Sequence, residues 1–445
     1  MAHIKINRRQ MMTQSVGATT ALMVSTQFPN LGVAASDQQT FSGFDGQSIV
    51  WGGVGYLPVD KAAIPNILPV IQMTTESGGK LLNQLLGKEL FNQLKTESAF
   101  CQRVNDANLC WGKTDSDGDA RFGMILGIAA EQTIQDSRDE TASFTFLRLI
   151  SYNFIFQVTD TGGVQIIACY PVGGRVDNIK YGPDTTSLKE YYLAMFSRAS
   201  TSGETIPQQY RRLFETRPFG KIKTGLNFRV SSVSLQPAVS EYLEKENVNP
   251  EHFTEWLGTA ATVSLGDNLN VSVLPYKLSD ATFAMAESFS EKQELFFGIP
   301  DGDLEVDPSL LFIKITLQDH PRDNTKFLQK LVVFLRVDIS RVISKQKTKL
   351  FKQVIFGEQF QVIFKKKEWR QADSTTVYKL TEDTLNIMIK AIAQPAMRAK
   401  LIEGIKVESK SSERNAEIGQ YKRIKLRPET SPNFESECEE LQNYI

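Results

Sequence analysis

Apolar residues recur along the chain with two periods, and each period predicts a different kind of element. Leucines spaced by three or four residues in Lys80–Leu94 predict an amphipathic helix, because that spacing places them on one face. Alternation in Leu331–Ile343 predicts a strand, since successive side chains of a strand point to opposite faces. The apolar run Phe122–Ala130 is typical of a buried strand. The chain is therefore predicted to adopt an α/β (α+β) fold.

The predicted elements occur in the same order in both halves of the chain. The first half contains Ile49–Tyr56, Lys80–Leu94, Phe122–Ala130, Phe146–Val158, Val164–Val172 and Leu188–Phe196. The second half contains Val271–Leu274, Ala281–Phe289, Leu311–Leu317, Leu331–Ile343, Thr348–Phe356 and Thr381–Gly404. We expect the last helix to break at Pro395, because proline removes a helical hydrogen bond. The repeated order predicts two related domains, each a mixed sheet with a long hairpin packed by helices. Two unrelated α/β domains are the alternative.

Composition predicts five segments along the chain. The closing segment is rich in Ser, Glu, Lys, Arg and Pro and has little apolar periodicity, so it is expected to be a disordered tail. The connecting segment contains one further strand candidate, Leu226–Leu235. The predicted segments are the export signal 1–35, the first α/β domain 36–200, the connecting segment 201–261, the second α/β domain 262–408 and the tail 409–445.

The amino-terminal residues resemble a bacterial export signal. Arg8 and Arg9 are followed by a weakly apolar run, Ser15–Phe28, and by small residues ending at Ala35. This order of charged, apolar and small residues predicts a signal peptide, and the paired arginines resemble the twin-arginine form. The run is too short and too often interrupted to span a membrane, which needs about 20 apolar residues. We therefore expect a periplasmic or secreted protein; the alternative is an ordinary tail with a chance Arg-Arg pair.

Charge and histidine content limit the function. The formal net charge is −1, which provides no overall attraction to nucleic acid or anionic lipid. Of three histidines, His3 lies in the predicted signal, leaving His252 and His320. Most histidine-based metal sites and catalytic triads are therefore excluded. We predict no catalytic residue, no metal, no cofactor and no nucleic-acid partner.

The cysteines allow one disulfide prediction. In an oxidising periplasm, Cys101 and Cys110 could close a short loop, which would stabilise the fold by about 2–3 kcal/mol. Two unbonded thiols are an equally open alternative. Cys169 lies in an apolar strand pattern and is expected to pack in a core.

An acidic stretch resembles a calcium loop but lacks its essential residues. Asp115, Asp117 and Asp119 alternate as in an EF-hand, yet the sixth and twelfth positions hold Ala120 and Leu126 instead of Gly and Glu. A solvated turn before the next strand explains the Asp and Gly residues better.

Other motifs also have simpler structural explanations. Ser77–Lys80 resembles a phosphate loop, but Thr74 and Leu81 replace the required Gly and Ser or Thr, so a helix cap is favoured. His320 lies among turn-forming residues, which predicts a polar loop instead of a catalytic base. His252 follows a proline and is expected at a helix start.

A basic run extends from Arg341 to Arg370. It contains nine Lys or Arg residues, including Lys365–Lys367, against Glu358 and Glu368. Lysines at alternate positions of an exposed strand protect a sheet edge from aggregation, and we favour this interpretation. Binding of an anionic partner is the alternative.

Three segments of the first half resemble periplasmic α/β domains. Gly53–Pro58, Phe122–Gly127 and Gly163–Val172 look like parts of the domain of the curli secretion protein CsgG and of the amino-terminal domain of TolB. The resemblance extends over residues 49–200 and, more faintly, 262–408. Such domains mostly build envelope assemblies or bind partners, which is what the resemblance implies here. The chain lacks the lipobox cysteine and the membrane-inserting hairpin of a secretion pore.

These observations favour an exported, non-enzymatic protein that interacts with, or assembles, a protein partner in the cell envelope. Two other classes stay open at this point. One is an exported hydrolase whose catalytic residues are brought together only by folding. The other is a binder of a soluble ligand between the two domains, because domain junctions commonly hold ligands. Oligomeric state is not predicted.

Overall fold

A computed structural model provides the structure of the protein. The chain divides into two compact units, Met1–Gly225 with Lys277–Pro300, and Leu226–Tyr276 with Asp301–Ile445. The residues that the structure describes are 49–56, 122–139, 142–158, 164–181, 205–206, 208–209, 228–246, 248–269, 271–276, 304–364, 374–408, 421–427 and 432–444.

The first unit contains a four-stranded sheet in the order β1-β2-β3-β4. Strand β1 (Ile49–Tyr56) is parallel to β2 (Phe122–Asp139), and β2, β3 (Ala142–Val158) and β4 (Val164–Tyr181) are antiparallel. Residues 149–155 are all buried, so both faces of the sheet are covered at its centre. The predicted first strand and hairpin are confirmed.

A side-chain amide pairs with the outer edge of β4. The backbone N–H of Gly173 donates to Gln209 Oε1 at 2.9 Å, and Gln209 Nε2 donates to the Gly173 carbonyl. Thr205 and Gln208 form a reciprocal capping box at the start of this helical turn, at 2.7 and 3.2 Å. The first unit therefore extends beyond its predicted limit at residue 200.

The second unit contains an eight-stranded mixed sheet in the order β11-β12-β10-β9-β8-β5-β7, with β6 beside β8. Strand β9 is antiparallel to its two neighbours, β8 and β10, whereas β5 and β6 are parallel to β8. These mixed sheets, together with the helices, confirm the predicted α/β class. The strands are β5 (Phe228–Val230), β6 (Ser234–Leu235), β7 (Val273–Leu274), β8 (Leu304–Asp319), β9 (Lys326–Ile343), β10 (Gln346–Phe364), β11 (Ile405–Glu408) and β12 (Tyr421–Leu426).

Five helices are described in this unit: α1 (Pro237–Lys245), α2 (Pro250–Leu269), α3 (Ser374–Ala393), α4 (Pro395–Glu403) and α5 (Phe434–Gln442). Proline occupies the first turn of α1 and of α4, where its missing N–H costs nothing. The predicted helix break at Pro395 is confirmed. In the part of the chain that the structure describes, no helix is both long and apolar enough to cross a membrane.

A tight turn connects β9 to β10 and sets the register between these two strands. Ser344 and Lys345 connect the two strands, and both have positive φ angles, 47° and 67°. A two-residue turn of this kind matches the right-handed twist of paired strands. The strand register that follows from this turn runs almost without interruption to Phe364.

One face of the second sheet packs against helices. Alternate residues of β9 are buried on this face: Leu331, Val333, Leu335, Val337 and Ile339. Rings of Phe253, Trp256 and Tyr378 join α2 to α3, with centroids 4.6–5.3 Å apart. The hydrophobic core of the unit therefore lies between this sheet face and the helices.

The predicted connecting segment 201–261 was wrong. Its residues 228–246 and 248–261 form β5, β6, α1 and most of α2, all within the second unit. A limit after residue 261 would divide α2, whose buried residues include Leu257 and Leu265. Because α2 is buried on most sides, it lacks the apolar stripe by which a surface helix is recognised.

The predicted disordered tail 409–445 was also wrong over the residues described there. Strand β12 pairs with β10 and β11, and α5 packs against β10. Phe434 contacts Phe351 with ring centroids 6.1 Å apart. The tail residues buried by these contacts are Ile424, Leu426, Phe434, Cys438 and Leu441.

The two sheets share one topological feature. Each places a short parallel strand, β1 or β5, beside three consecutive antiparallel strands. That the two units are related domains stays a prediction. The predicted helices Lys80–Leu94, Leu188–Phe196 and Ala281–Phe289 lie outside the described residues.

Candidate functional site

The second face of the second sheet points away from the helices. Gly357 of β10 lies against Leu380 and Thr384 of α3, which fixes the helix side of that strand. Its neighbours in the strand, Phe356 and Glu358, therefore project to the opposite side. We call this surface, formed by β8, β9, β10, β12 and β11, the open face.

A row of three phenylalanines crosses the open face. Phe312 of β8 lies opposite Phe334 of β9, which lies opposite Phe356 of β10. The ring centroids are 5.7 Å and 5.9 Å apart, within the range of favourable aromatic pairs. Phe312 is 40% exposed, and the other two rings are half-buried. We call these three residues the aromatic row.

The same strand register places cations beside the aromatic row. Lys425 of β12 lies opposite Phe356, so it continues the row by one strand. Lys314 of β8 follows Phe312 by two residues and projects to the same side. Arg423 of β12 lies opposite Glu358. Positive charge therefore lies beyond Phe356, at Lys425, and beside Phe312, at Lys314.

Glu358 is the carboxylate nearest to this cationic flank. It accepts hydrogen bonds from Tyr421 Oη at 2.6 Å and forms a salt bridge to Lys330 Nζ at 2.9 Å. Burial alone would raise the pKa of Glu358, but the hydrogen bonds from Tyr421 and Lys330 hold that pKa below its usual value. Glu358 is therefore a charged, internally satisfied group.

Tyr421 is held by three neighbours. Its ring stacks on Phe360 at 5.6 Å and lies under Lys406 Nζ, which is 5.5 Å from the ring centroid. The hydrogen bond to Glu358 raises the pKa of the Tyr421 hydroxyl. These contacts stabilise the β10–β12 side of the open face.

A second charged cluster lies on the same face toward the other end of the strands, where Glu305, Asp338 and Ser340 are buried. The buried Glu305 of β8 pairs with Arg229 and Lys347. Burial opposes ionisation of Glu305, yet hydrogen bonds from Lys347 and Arg229 lower its pKa. Asp307 accepts hydrogen bonds from the Ser232 backbone N–H at 3.0 Å and the Ser232 hydroxyl at 2.8 Å.

Asp338 completes this cluster. Its carboxylate lies 2.9 Å from Arg336 Nε and 3.4 Å from Lys349 Nζ. Lys347 Nζ also lies 3.8 Å from Asp307. Each of the three carboxylates of this cluster, Glu305, Asp307 and Asp338, therefore has a cationic partner.

The open face has a surplus of positive charge. Lys314, Arg423 and Lys425 form no salt bridge with any residue that the structure describes. All three lie next to the aromatic row, where an external carboxylate could reach them. The arrangement is suited to binding a partner with an apolar surface and negative charge.

Four groups of residues from the sequence analysis lie outside the described part of the chain. They are the export signal, the predicted disulfide, the acidic turn and the segment that resembles a phosphate loop. The residues concerned are Arg8, Arg9, Ala35, Cys101, Cys110, Asp115–Asp119 and Ser77–Lys80. Cys169 is buried in β4, and burial raises its pKa well above the usual value, so the predicted core position is confirmed. In the described ranges, no group of three His, Cys, Asp or Glu side chains could hold a metal ion.

The two remaining histidines have local structural roles. His320 begins the β8–β9 turn, where its Nδ1 accepts a hydrogen bond from the Arg322 backbone N–H at 3.2 Å. His252 lies in the first turn of α2, next to Glu251, whose N–H donates to Asn249 Oδ1 at 2.8 Å. The predictions of a polar loop and of a helix start are confirmed.

The predicted edge position of the basic run is confirmed for the first half of β10, and protection of that edge from aggregation stays a prediction. Strand β12 joins β10 only from Ile355 onwards, so the first half of β10 borders the sheet edge. There the Lys352 backbone N–H donates to Glu437 of α5 at 3.0 Å. Lys365–Lys367 lie outside the described residues.

The aromatic row was not predicted from the sequence. Phe334 stands between the buried Val333 and Leu335, and Phe312 stands beside the buried Ile313. A bulky aromatic residue at an outward position is the signal that could have indicated the open face.

Comparison with known proteins identifies no family. No protein-family model and no curated protein matches the chain. The hypothetical protein CT253 from Chlamydia trachomatis is 11% identical, with 39% of this chain and 98% of that chain covered and a TM-score of 0.22. A neuraminyllactose-binding hemagglutinin homolog from Helicobacter pylori is 11% identical, with 39% and 88% covered and a TM-score of 0.21. Likeness at this level indicates no function for the chain.

Proposed function

We propose that this chain is an exported, non-enzymatic protein of the cell envelope that binds a protein partner through the open face. The observation that carries the proposal is the aromatic row, Phe312, Phe334 and Phe356, on the sheet face opposite the side that Gly357 turns toward α3. The amino-terminal Arg8-Arg9 pair and the small residues ending at Ala35 support export.

Physical chemistry favours binding as the role of this surface. Aromatic side chains are enriched in the cores of protein interfaces, where a polar rim surrounds them. Here three rings form the centre, and Lys314, Arg423 and Lys425 are charged groups at the rim. Their lack of internal salt bridges among the described residues leaves them available to a partner.

Site-specific photo-crosslinking in the cells that encode the chain tests the proposal. A photoreactive phenylalanine analogue at Phe312 should give a discrete crosslinked protein in the envelope fraction. The matched control places the analogue at Lys400, an exposed residue of α4 on the helix side of the unit. Loss of the crosslink in an Arg8→Lys/Arg9→Lys chain would link binding to export.

Two results would contradict the proposal. Equal crosslinking from Phe312 and Lys400 would mean that the open face has no special role. Absence of any crosslink at Phe312 in a correctly exported chain would exclude the open face as the binding surface.

A further inference from the structure

We infer that the partner of the open face is an acidic amphipathic helix, which lies along the aromatic row. This inference rests on the proposed function and adds the chemistry of the partner. It follows from two properties of the open face: the sign of its unpaired charges and the spacing of its rings.

The charge of the open face selects an acidic partner. On β8, β9 and β10, the carboxylates of this face whose side chains the structure describes all have cationic partners within the unit: Glu305, Asp307, Asp338 and Glu358. Lys314 and Lys425 beside the row form no salt bridge with described residues, whereas Arg423 lies opposite Glu358 and helps to lower its pKa. Lys314 and Lys425 therefore give the surface beside the row a surplus of positive charge. A basic segment would bring like charges together at close range, which weakens binding.

The positions of the unpaired cations define where the partner's carboxylates lie. Lys425 extends the row beyond Phe356, and Lys314 lies beside Phe312 at the other end. Arg423 lies next to Lys425 on the same strand face. Acidic residues at the ends and along one side of an apolar stripe would therefore each meet a cation.

The spacing of the rings fits the period of a helix. The centroids of the aromatic row are separated by 5.7 Å and 5.9 Å. A helix rises about 1.5 Å per residue, so side chains four residues apart are separated by about 6 Å along its axis. Apolar residues at i, i+4 and i+8 can therefore each contact one ring.

The test uses synthetic peptides and the purified full chain. The first peptide, of about 18 residues, carries Leu at helical spacing and Glu elsewhere. The second replaces every Glu by Lys, and the third scrambles the first so that its Leu residues no longer share a face. Fluorescence anisotropy measures binding of each peptide to the wild type, to Lys314→Glu/Lys425→Glu and to the control Lys400→Glu.

The inference predicts that the wild type and Lys400→Glu bind the Glu peptide, and that Lys314→Glu/Lys425→Glu binds it at least about tenfold more weakly. The double variant should instead gain affinity for the Lys peptide, a result that a misfolded variant would not give. The scrambled peptide should bind the wild type weakly.

Equal affinity of the wild type for the Glu and Lys peptides would overturn the inference. Binding of the chain to phosphatidylglycerol vesicles but not to the Glu peptide would identify a lipid surface in place of an acidic helix. If the Phe312 crosslink in cells survives in Lys314→Glu/Lys425→Glu, this inference fails and the proposed function stands. If the crosslink is absent from the wild type, the proposed function itself fails.

Discussion

Gly357 of β10 and Thr384 of α3 lie so close together that a Cβ atom at position 357 would overlap Thr384 Oγ1. Thr384 Oγ1 is held in place because it donates to the Leu380 carbonyl at 2.6 Å. The contact brings α3 against the centre of the sheet and directs the flanking Phe356 and Glu358 to the open face. A glycine is required here by close packing, not by backbone conformation.

The first prediction concerns this contact. Gly357→Ala should destabilise the protein by about 1–3 kcal/mol, because the added methyl group overpacks the interface between α3 and the sheet. Thr384→Ala should partly relieve the cost, so the effects of the two changes should not be additive. Urea unfolding of both single variants and of the double variant measures this coupling. Additive effects would show that Thr384 is not the obstructing group.

The buried amide of Asn153, in β3, should lower the free energy of unfolding of the wild-type protein. Its side chain is fully buried, and neither Oδ1 nor Nδ2 has a hydrogen-bond partner among the residues described. Asn153→Leu removes an unsatisfied amide from a core, so it should raise the free energy of unfolding by about 1–3 kcal/mol. Thermal or urea unfolding measures the change.

Asn268 provides the matched control for this prediction. Its Nδ2 donates to the Ser264 carbonyl at 2.9 Å, so Asn268→Leu removes a satisfied hydrogen bond and should not stabilise the protein. If Asn153→Leu lowered the free energy of unfolding, the prediction would be wrong, and the Asn153 amide would be stabilising the fold.

The acid sensitivity of the second unit should depend on Glu358. Its pKa is lower in the folded state than in the unfolded chain, where glutamate titrates near about 4.3. The unfolded state therefore binds more protons, and the stabilisation is present above the unfolded pKa and is lost as the pH falls through the folded pKa. Glu358→Gln should make the free energy of unfolding less dependent on pH between about pH 5 and pH 3.

Tyr421→Phe tests the cause of this shift. Without the hydroxyl at 2.6 Å, the pKa of Glu358 should rise toward its usual value, and the acid dependence should become shallower than in the wild type. Stability curves measured over the same pH range provide the test. An unchanged slope in both variants would show that Glu358 does not contribute to acid sensitivity.

How far the sequence predicts the fold depends on how much each element relies on distant contacts. Strand β9 was predicted because its two faces differ: buried aliphatic residues such as Val333 alternate with half-exposed ones such as Val332. Strand β12 was missed because Lys422, Arg423 and Lys425 dominate its six residues, and only pairing with β10 buries Ile424 and Leu426.

The open face was beyond prediction for a related reason. Phe312, Phe334 and Phe356 are far apart in sequence, and their contact depends on the register of three strands. A register change of one residue would turn each ring to the helix side. The sequence indicated strands at these positions but contained no means of aligning them.

Export of the chain can be tested separately from binding. Expressed in a bacterium with a twin-arginine system, the chain should lose about 35 residues and be recovered from the periplasm. Arg8→Lys/Arg9→Lys should give the full-length chain in the cytoplasm. Intact mass and cell fractionation measure both outcomes, and a full-length cytoplasmic wild-type chain would contradict the predicted localisation.

If the aromatic row binds a partner in the envelope, the size of the chain's native complex should depend on Phe312. Phe312→Glu places a charge at the most exposed ring of the aromatic row. Urea unfolding of the purified variant checks that it stays folded. When envelope extracts are separated by size, the wild type and Lys400→Glu should migrate as a complex larger than the chain itself. Phe312→Glu should migrate as the uncomplexed chain. Co-migration of Phe312→Glu with the wild type would contradict the claim.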